Sequence, residues 1–428
     1  HNDDFTVWTV KVRDGVTFTD GTPLDAAAVV SSYKFRADPA TCRCSSAYDG
    51  VTFEATDPMT VTFTLTSPRA RLDETRLTDP IASPATLAPG VDRNKTPVGT
   101  GAFRLTDRNT LQFERNEKYW RKDDKGRALP YLDKVRLAPI ADPSARLAAI
   151  RKGEIQVMEV TDGPTLKAVS EDKSFVVDAS ASGGVTAVVA NTRSGPASDL
   201  EVRDALALSV DREALAQSYA QSSSIPAYSF FTDDFPFKVK GSFPKRDVAK
   251  AKSMVESIRG RLGPDALKLR IVCAKIPEAE ALLPVAVNQI REVGFDATLA
   301  LLDVGEYASQ VLVGGGGWDL ACSRTQPLDA NPTDLGAFLR TGSGANVAKY
   351  SNPEIDSLFD REQSAVDIGE RTEIFQQILD IVVRDKPYFP LLFNQVGAVV
   401  RTEVQGMSTP DRVWPTHVDL STLWLKAG

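Results

Sequence analysis

The chain has 428 residues with 50 basic and 57 acidic side chains, a net charge of −7. That length exceeds what one hydrophobic core serves, so two or three domains are expected, and the mild acidity disfavours nucleic acid or an anionic membrane as the main partner. Two histidines, His1 and His417, leave no paired-imidazole zinc site and only His417 for a nucleophilic triad, and no apolar run is long enough to span a bilayer.

In chain order, Val7–Val12 alternates as a strand, Asp14-Gly15 and Asp20-Gly21 supply turns, and Pro23-Leu24-Asp25 leads into a helix through Ala26–Phe35. Cys42-Arg43-Cys44 has neither the spacing of a redox CxxC pair nor partner ligands for a metal. Thr52–Ala55 and Thr60–Thr66 form an alternating pair around Asp57-Pro58, with Val61, Phe63 and Leu65 sharing a face. The glycines of Gly99-Thr100-Gly101 suit a tight backbone approach, but the Lys-Ser/Thr of a phosphate-binding loop is missing. Asp142 then caps a helix over Ser144–Lys152 that ends at Gly153, and Ile155–Val160 reads as a strand.

Val185–Ala190 is an apolar, β-branched run punctuated by glycines before it and Ser194-Gly195-Pro196 after it, which predicts one buried strand. Asp199 and Asp211 are N-caps for the helical patterns that follow. From Val248 strands and helices alternate: a helix to Arg261, a strand over Lys268–Ala274, a helix over Glu278–Val293, and a strand over Phe295–Leu302. A short helix over Gly305–Leu312 and a strand over Trp318–Cys322 complete the alternation, which argues for a parallel sheet covered by helices. Ligands on such sheets sit at the carboxyl ends of strands, which points to Ser323–Pro332. Cys273 and Cys322 each end an apolar run; they could meet across neighbouring strands or be two small buried thiols. Tyr388–Gln395 is a returning strand.

Enzyme signatures are poor. Ser170–Lys173 and Ser242–Lys245 fit a Ser-x-x-Lys spelling but lie in polar, turn-like stretches. No two carboxylates share an apolar context, as an acid–base pair would need.

Several segments resemble one family in the expected order. WTVKVRDGVTFTDGTPLDAAAVVSSY near the amino end, TPVGTGAFRLTDRNTLQFERNEKYW from Thr96, and YLDKV…RLAAIRKGEI from Tyr131 are three of them. The fourth is the crossover: Asn191-Thr192, then Val202-Arg203, Ala205-Leu206 and Asp211-Arg212-Glu213. The chain resembles the family 5 solute-binding proteins, the peptide, nickel and oligosaccharide receptors of bacterial ABC importers.

The resemblance implies an α/β, two-lobed periplasmic-binding-protein fold of type II, with mixed β-sheets flanked by helices and two hinge crossings. Residues 1–98 would be a small appended domain of lobe 1, residues 99–184 and 396–428 the core of lobe 1, and residues 185–395 lobe 2. Family members carry several dozen residues before the equivalent of Trp8, so a leader and a lipid-anchoring cysteine are expected ahead of His1, with an extracytoplasmic location.

Peptide-binding members place an Asp, which takes the ligand's α-amino group, in the loop after the strand that ends near Cys322. Aligned on Trp318-Asp319 and Pro332, this chain has Leu328 there and Asp329 one place later. A buried ammonium without its partner costs about 3–5 kcal/mol, whereas micromolar binding is worth only about 8 kcal/mol. Losing the anchor would therefore change the ligand class. The expected ligand-binding residues are Arg324, Thr325, Gln326, Leu328, Asp329, Asn394, Tyr307 and Cys322, with no catalytic residue, metal or cofactor. The expected partners are an oligopeptide or peptide-like solute and a membrane permease, with the chain a monomer. The alternatives are an enzyme or biosynthetic protein on the same scaffold, or a receptor for a non-peptide ligand such as an oligosaccharide.

Overall fold

The computed structural model describes all residues except 43, 94, 96, 161, 181–183, 221–224, 234, 236, 326, 327, 329–331, 408–417, 427 and 428. Two compact units emerge from the chain's own contacts. One contains His1–Gln156 and the described residues from Val400 on, and the other runs from Val157 to Val399.

In the first unit, β1 (Val7–Lys11), β2 (Val51–Asp57) and β3 (Thr60–Leu65) form an antiparallel sheet in the order β1-β3-β2. Alternation along β3 turns Val61, Phe63 and Leu65 to one face, where they meet Trp8, Phe53 and the helix Ala26–Ala37. Asp25 caps that helix, accepting from the backbone N–H of Ala28 at 2.8 Å. The Tyr33 ring stands edge-on to Phe63 at 4.9 Å between centroids. A second sheet has the order β4 (Phe103–Asp107), β5 (Gln112–Arg115) and β6 (Lys134–Arg136). Beyond it, Pro143–Lys152 is capped by Asp142 and closed by Gly153 at φ 75°. The tight approach expected at Gly99 and Gly101 is not found. A Cβ at either would meet its nearest neighbour at ordinary distance, 3.8 and 3.9 Å. The segment is held by polar contacts instead: the Gly99 carbonyl accepts from Thr19 N and the Gly101 carbonyl from Asn116 Nδ2.

Farther on come β7 (Val157–Val160), β8 (Phe175–Ser180), β9 (Val185–Ala190), β10 (Ile225–Pro226), β11 (Lys268–Ala274), β12 (Asp296–Leu302), β13 (Leu320–Arg324), β14 (Tyr388–Phe393) and β15 (Val396–Arg401). The order β10-β14-β9-β13-β11-β12 makes a six-stranded sheet, and β7-β15-β8 a three-stranded one. β8 and β9 follow each other in the chain but lie in different sheets, as do β14 and β15.

The large sheet is mixed rather than purely parallel. β12, β11 and β13 are parallel, whereas β9 runs against both β13 and β14. β9 enters at the edge from which β14 leaves, and that fixes opposite directions for the two. Helix Pro277–Glu292 packs Leu282, Leu283, Ala286, Val287 and Ile290 into the unit's core, and Ile368–Asp385 packs Ile374, Phe375, Ile378 and Ile381. The composition of the run Gly314–Gly317 has a backbone reason, because Gly314, Gly316 and Gly317 all have positive φ.

Both arginines of the crossover pattern are structural. Arg203 donates to the carbonyls of Asp385, Ala197 and Ser198 at 2.7–2.9 Å. Arg212, 1% exposed, donates to the Pro390 and Pro244 carbonyls at 2.7 and 3.1 Å, and burial pulls its pKa down to about 10.

Candidate functional site at the carboxyl end of the six-stranded sheet

The register brings the ends of β9, β13 and β14 together. Thr186 on β9 lies opposite Arg324 of β13 and Leu392 of β14. The neighbouring parallel strands β11 and β13 are joined by a disulfide between Cys273 and Cys322, with Cα atoms 5.0 Å apart. Val272 pairs with Ala321, so the next residue of each strand falls side by side. Of the three pairings open to four cysteines, the structure thus has Cys273–Cys322 and Cys42–Cys44, and the reading of Cys273 and Cys322 as free buried thiols is overturned. Among the described residues no cysteine is free.

A polar cluster occupies this strand end. Thr186 Oγ1 lies 2.5 Å from Glu278 Oε1 and 2.8 Å from Asn394 Oδ1. Glu278 stands in the first turn of the helix that leaves β11, a position the helix favours for a carboxylate. Asn394 follows β14 and is only 8% exposed; its backbone N–H donates to the Gly184 carbonyl at 2.8 Å, but its Nδ2 has no hydrogen-bond partner. Asp162 resembles it: one carboxylate oxygen caps helix Gly163–Ser170 through Thr165 N, and the other is sealed from solvent without a partner. Tyr219 registers these charges. Burial pushes its phenol up to about 12, the charges of Glu278 and Asp162 add to the rise, and Arg324 opposes it. Unsatisfied polar atoms at such depth are costly, and Asn394 Nδ2 and Asp162 Oδ2 are two of them.

The expected residues divide by role. Arg324 is exposed at the end of β13. Thr325 is buried and extends the pairing, its N–H donating to the Val185 carbonyl at 3.0 Å and its Oγ1 accepting from Val185 N at 2.9 Å. Tyr307 is half-buried and donates its hydroxyl to the Cys322 carbonyl, and burial raises its pKa to about 12. Leu328, 2% exposed, joins the hydrophobic core of the unit. Gln326 and Asp329 lie outside the described residues. Thr186, Asp162, Tyr219 and Glu278 went unnoticed in the sequence. Glu278 alone had a usable signal, since it follows the carboxyl end of an apolar strand and opens a helix.

Ser170, one of the two Ser-x-x-Lys serines, donates its hydroxyl back to the Leu166 carbonyl at 2.8 Å within its own helix. Among the described residues no group of three His, Cys, Asp or Glu side chains is placed to hold a metal, and no helix is long and apolar enough to cross a membrane.

Residues 1–346 match the family model described as bacterial extracellular solute-binding proteins, family 5 Middle. The glutathione-binding protein GsiB of Escherichia coli K12 is 26% identical over 429 residues, covering 95% of this chain and 81% of that relative. Among solved structures, AgaA from Agrobacterium tumefaciens R10 in complex with agropinic acid superposes with a TM-score of 0.85 at 19% identity, over 100% of this chain and 88% of that one. The oligopeptide-binding protein AppA of Bacillus subtilis, in complex with a nonapeptide, superposes with a TM-score of 0.83 at 20% identity, over 99% and 88%. These likenesses establish the two-lobed α/β fold with mixed sheets flanked by helices.

Proposed function

We propose that this chain, which belongs to the bacterial extracellular solute-binding proteins of family 5, is the receptor of an ABC importer for an oligopeptide or peptide-like solute. It would close around the solute and deliver it to a membrane permease, the ligand shifting an open–closed equilibrium by its preference for the closed form. The carrying observation is the strand end at Thr186, Glu278 and Asn394, where a buried amide keeps a hydrogen-bonding atom unused. Arg324, Tyr307, Thr325 and Cys322 line or brace that end, and Gln326 and Asp329 belong to the same proposal by their place in the chain. The proposal also includes a lobe 1 of residues 1–184 and 396–428, a lobe 2 of residues 185–395, a monomeric state and a lipid anchor on the mature protein.

Peptides enter as the ligand class because relatives named for glutathione and for oligopeptides match along nearly the whole chain. Mass spectrometry of small molecules released when the purified protein is denatured tests this. Short peptides or glutathione are expected. A single compound without a peptide bond would overturn the ligand class, and chemical conversion of an added ligand would overturn the receptor reading.

A further inference from the structure

The hydroxyl of Thr186 has one hydrogen and two acceptors within reach, Glu278 Oε1 at 2.5 Å and Asn394 at 2.8 Å. The carboxylate takes it, because a charge-assisted bond is about twice as strong as a neutral one. Thr186 can then bond Asn394 only by accepting, which turns the amide NH2 toward the hydroxyl. With the amide turned this way, the position without a partner on Asn394, which is nine-tenths buried, holds its carbonyl oxygen, on a side chain that shares the Thr186 hydroxyl with Glu278. Among the described residues no lysine or arginine is bonded to Glu278 or to Asp162, whose second oxygen is also open. Leu328 packs into the core and brings no charge.

The end of β9 therefore offers a carboxylate and an amide oxygen. A second carboxylate, Asp162, caps a helix that packs on the one carrying half-buried Tyr219, and among the described residues no lysine or arginine is bonded to either carboxylate. We propose that Glu278 receives the ammonium group of the bound solute, with the Asn394 carbonyl oxygen as second acceptor and Asp162 adding negative field. An ammonium has three donors on a point charge and fits convergent oxygen acceptors. Thr186 is a positioning residue that orients Glu278. The assignment rests on the receptor reading and specifies the pole of the ligand that meets this end of the sheet.

Isothermal titration of the full chain with trialanine, N-acetyl-trialanine and the diamine cadaverine tests it. Glu278→Gln is the variant, because glutamine keeps an acceptor for Thr186 while removing the charge. Trialanine is expected to bind the native chain, with the acetylated peptide roughly 10–100-fold weaker and Glu278→Gln weakening trialanine by a similar factor, as a lost charge-assisted bond does. The variant should leave the acetylated peptide within about 3-fold, since that probe has no ammonium for Glu278 to receive. Equal binding of free and acetylated peptide, or trialanine binding that ignores Glu278→Gln, overturns the anchor and leaves the peptide reading standing. Cadaverine binding that depends on Glu278, without trialanine binding, supports the anchor and overturns the peptide reading. Binding of none of the three overturns both. Should Glu278→Gln fail to fold, Thr186→Val, which removes the hydroxyl that orients Glu278, is the second variant: a weakened preference for free over acetylated peptide supports the anchor, and an unchanged preference overturns it.

Discussion

Removal of the Cys273–Cys322 bridge by a double change to alanine should destabilise the protein far more than the same treatment of Cys42–Cys44. The two bridges have sequence separations of 49 and 2. In the chain-entropy description, closing a loop of that larger size in the unfolded state is worth about 4 kcal/mol. The logarithm of the ratio of loop lengths makes the difference between the bridges about 3 kcal/mol. Cys273 is fully buried, so losing its sulfur adds a cavity cost on the order of 1 kcal/mol. At roughly 2–4 °C per kcal/mol for a unit of this size, the Cys273→Ala/Cys322→Ala protein should melt on the order of 10 °C lower. The Cys42→Ala/Cys44→Ala protein should stay within about 4 °C of the parent. Differential scanning calorimetry without reductant measures both, and reductant added to the parent should reproduce the larger shift. Equal shifts for the two variants, or none for Cys273/Cys322, would refute the loop argument.

Three further outcomes follow from the packing. Leu328→Asp places a charge where a 2% exposed leucine packs, so it should cost on the order of 5 kcal/mol in urea unfolding and gain no affinity for trialanine; a stable variant with tighter binding would show that the loop faces the ligand. Arg371, donating from Nε to Glu362 Oε1 at 3.1 Å, pairs with a carboxylate whose side chain is 1% exposed. Arg371→Met alone should cost about 3–5 kcal/mol, and adding Glu362→Gln should recover most of it; single and double variants of equal stability would contradict this. Asp199 is held below its ordinary 3.8 chiefly by Arg261, at 2.8 Å, and by capping bonds to Val202 and Glu201 N–H, against the cost of burial. Its pKa is lower folded than unfolded, so its contribution is complete above about pH 4 and is lost as pH falls through the folded value. Asp199→Asn keeps the cap and should flatten the acid limb of stability against pH below about pH 4; an unchanged limb would rule the contribution out.

Local chemistry was readable without coordinates. Asp142, Asp199 and Asp211 each cap the helix expected of them, because capping needs only a short acceptor side chain within three residues of a free N–H. Strand β11 spans Lys268–Ala274 as its apolar run predicts, and β9 spans Val185–Ala190. Element ends drifted where packing outweighs propensity: β13 extends to Arg324, past the cysteine where the apolar run stops, because pairing with β9 continues to Thr186.

The candidate site was legible in part. Asn394 was among the expected residues, and the rule that ligands meet the carboxyl ends of strands pointed to Arg324 and Thr325. It could not reach Thr186, which sits at the amino end of an antiparallel neighbour and arrives there only through register. Nor could it reach Asp162, which comes near only because the helix it caps packs on the helix that carries Tyr219.

The sequence by itself determined the helix caps, the apolar strands and the family, since each depends on residues close together in the chain or on motifs spelled in order. Tertiary structure alone decided that β9 runs against β13, that Cys273 bonds Cys322, that Leu328 is core and that Glu278 shares a hydroxyl with Asn394. Each of these joins residues separated by tens to hundreds of positions. A one-residue shift in strand register would turn every such side chain to the opposite face.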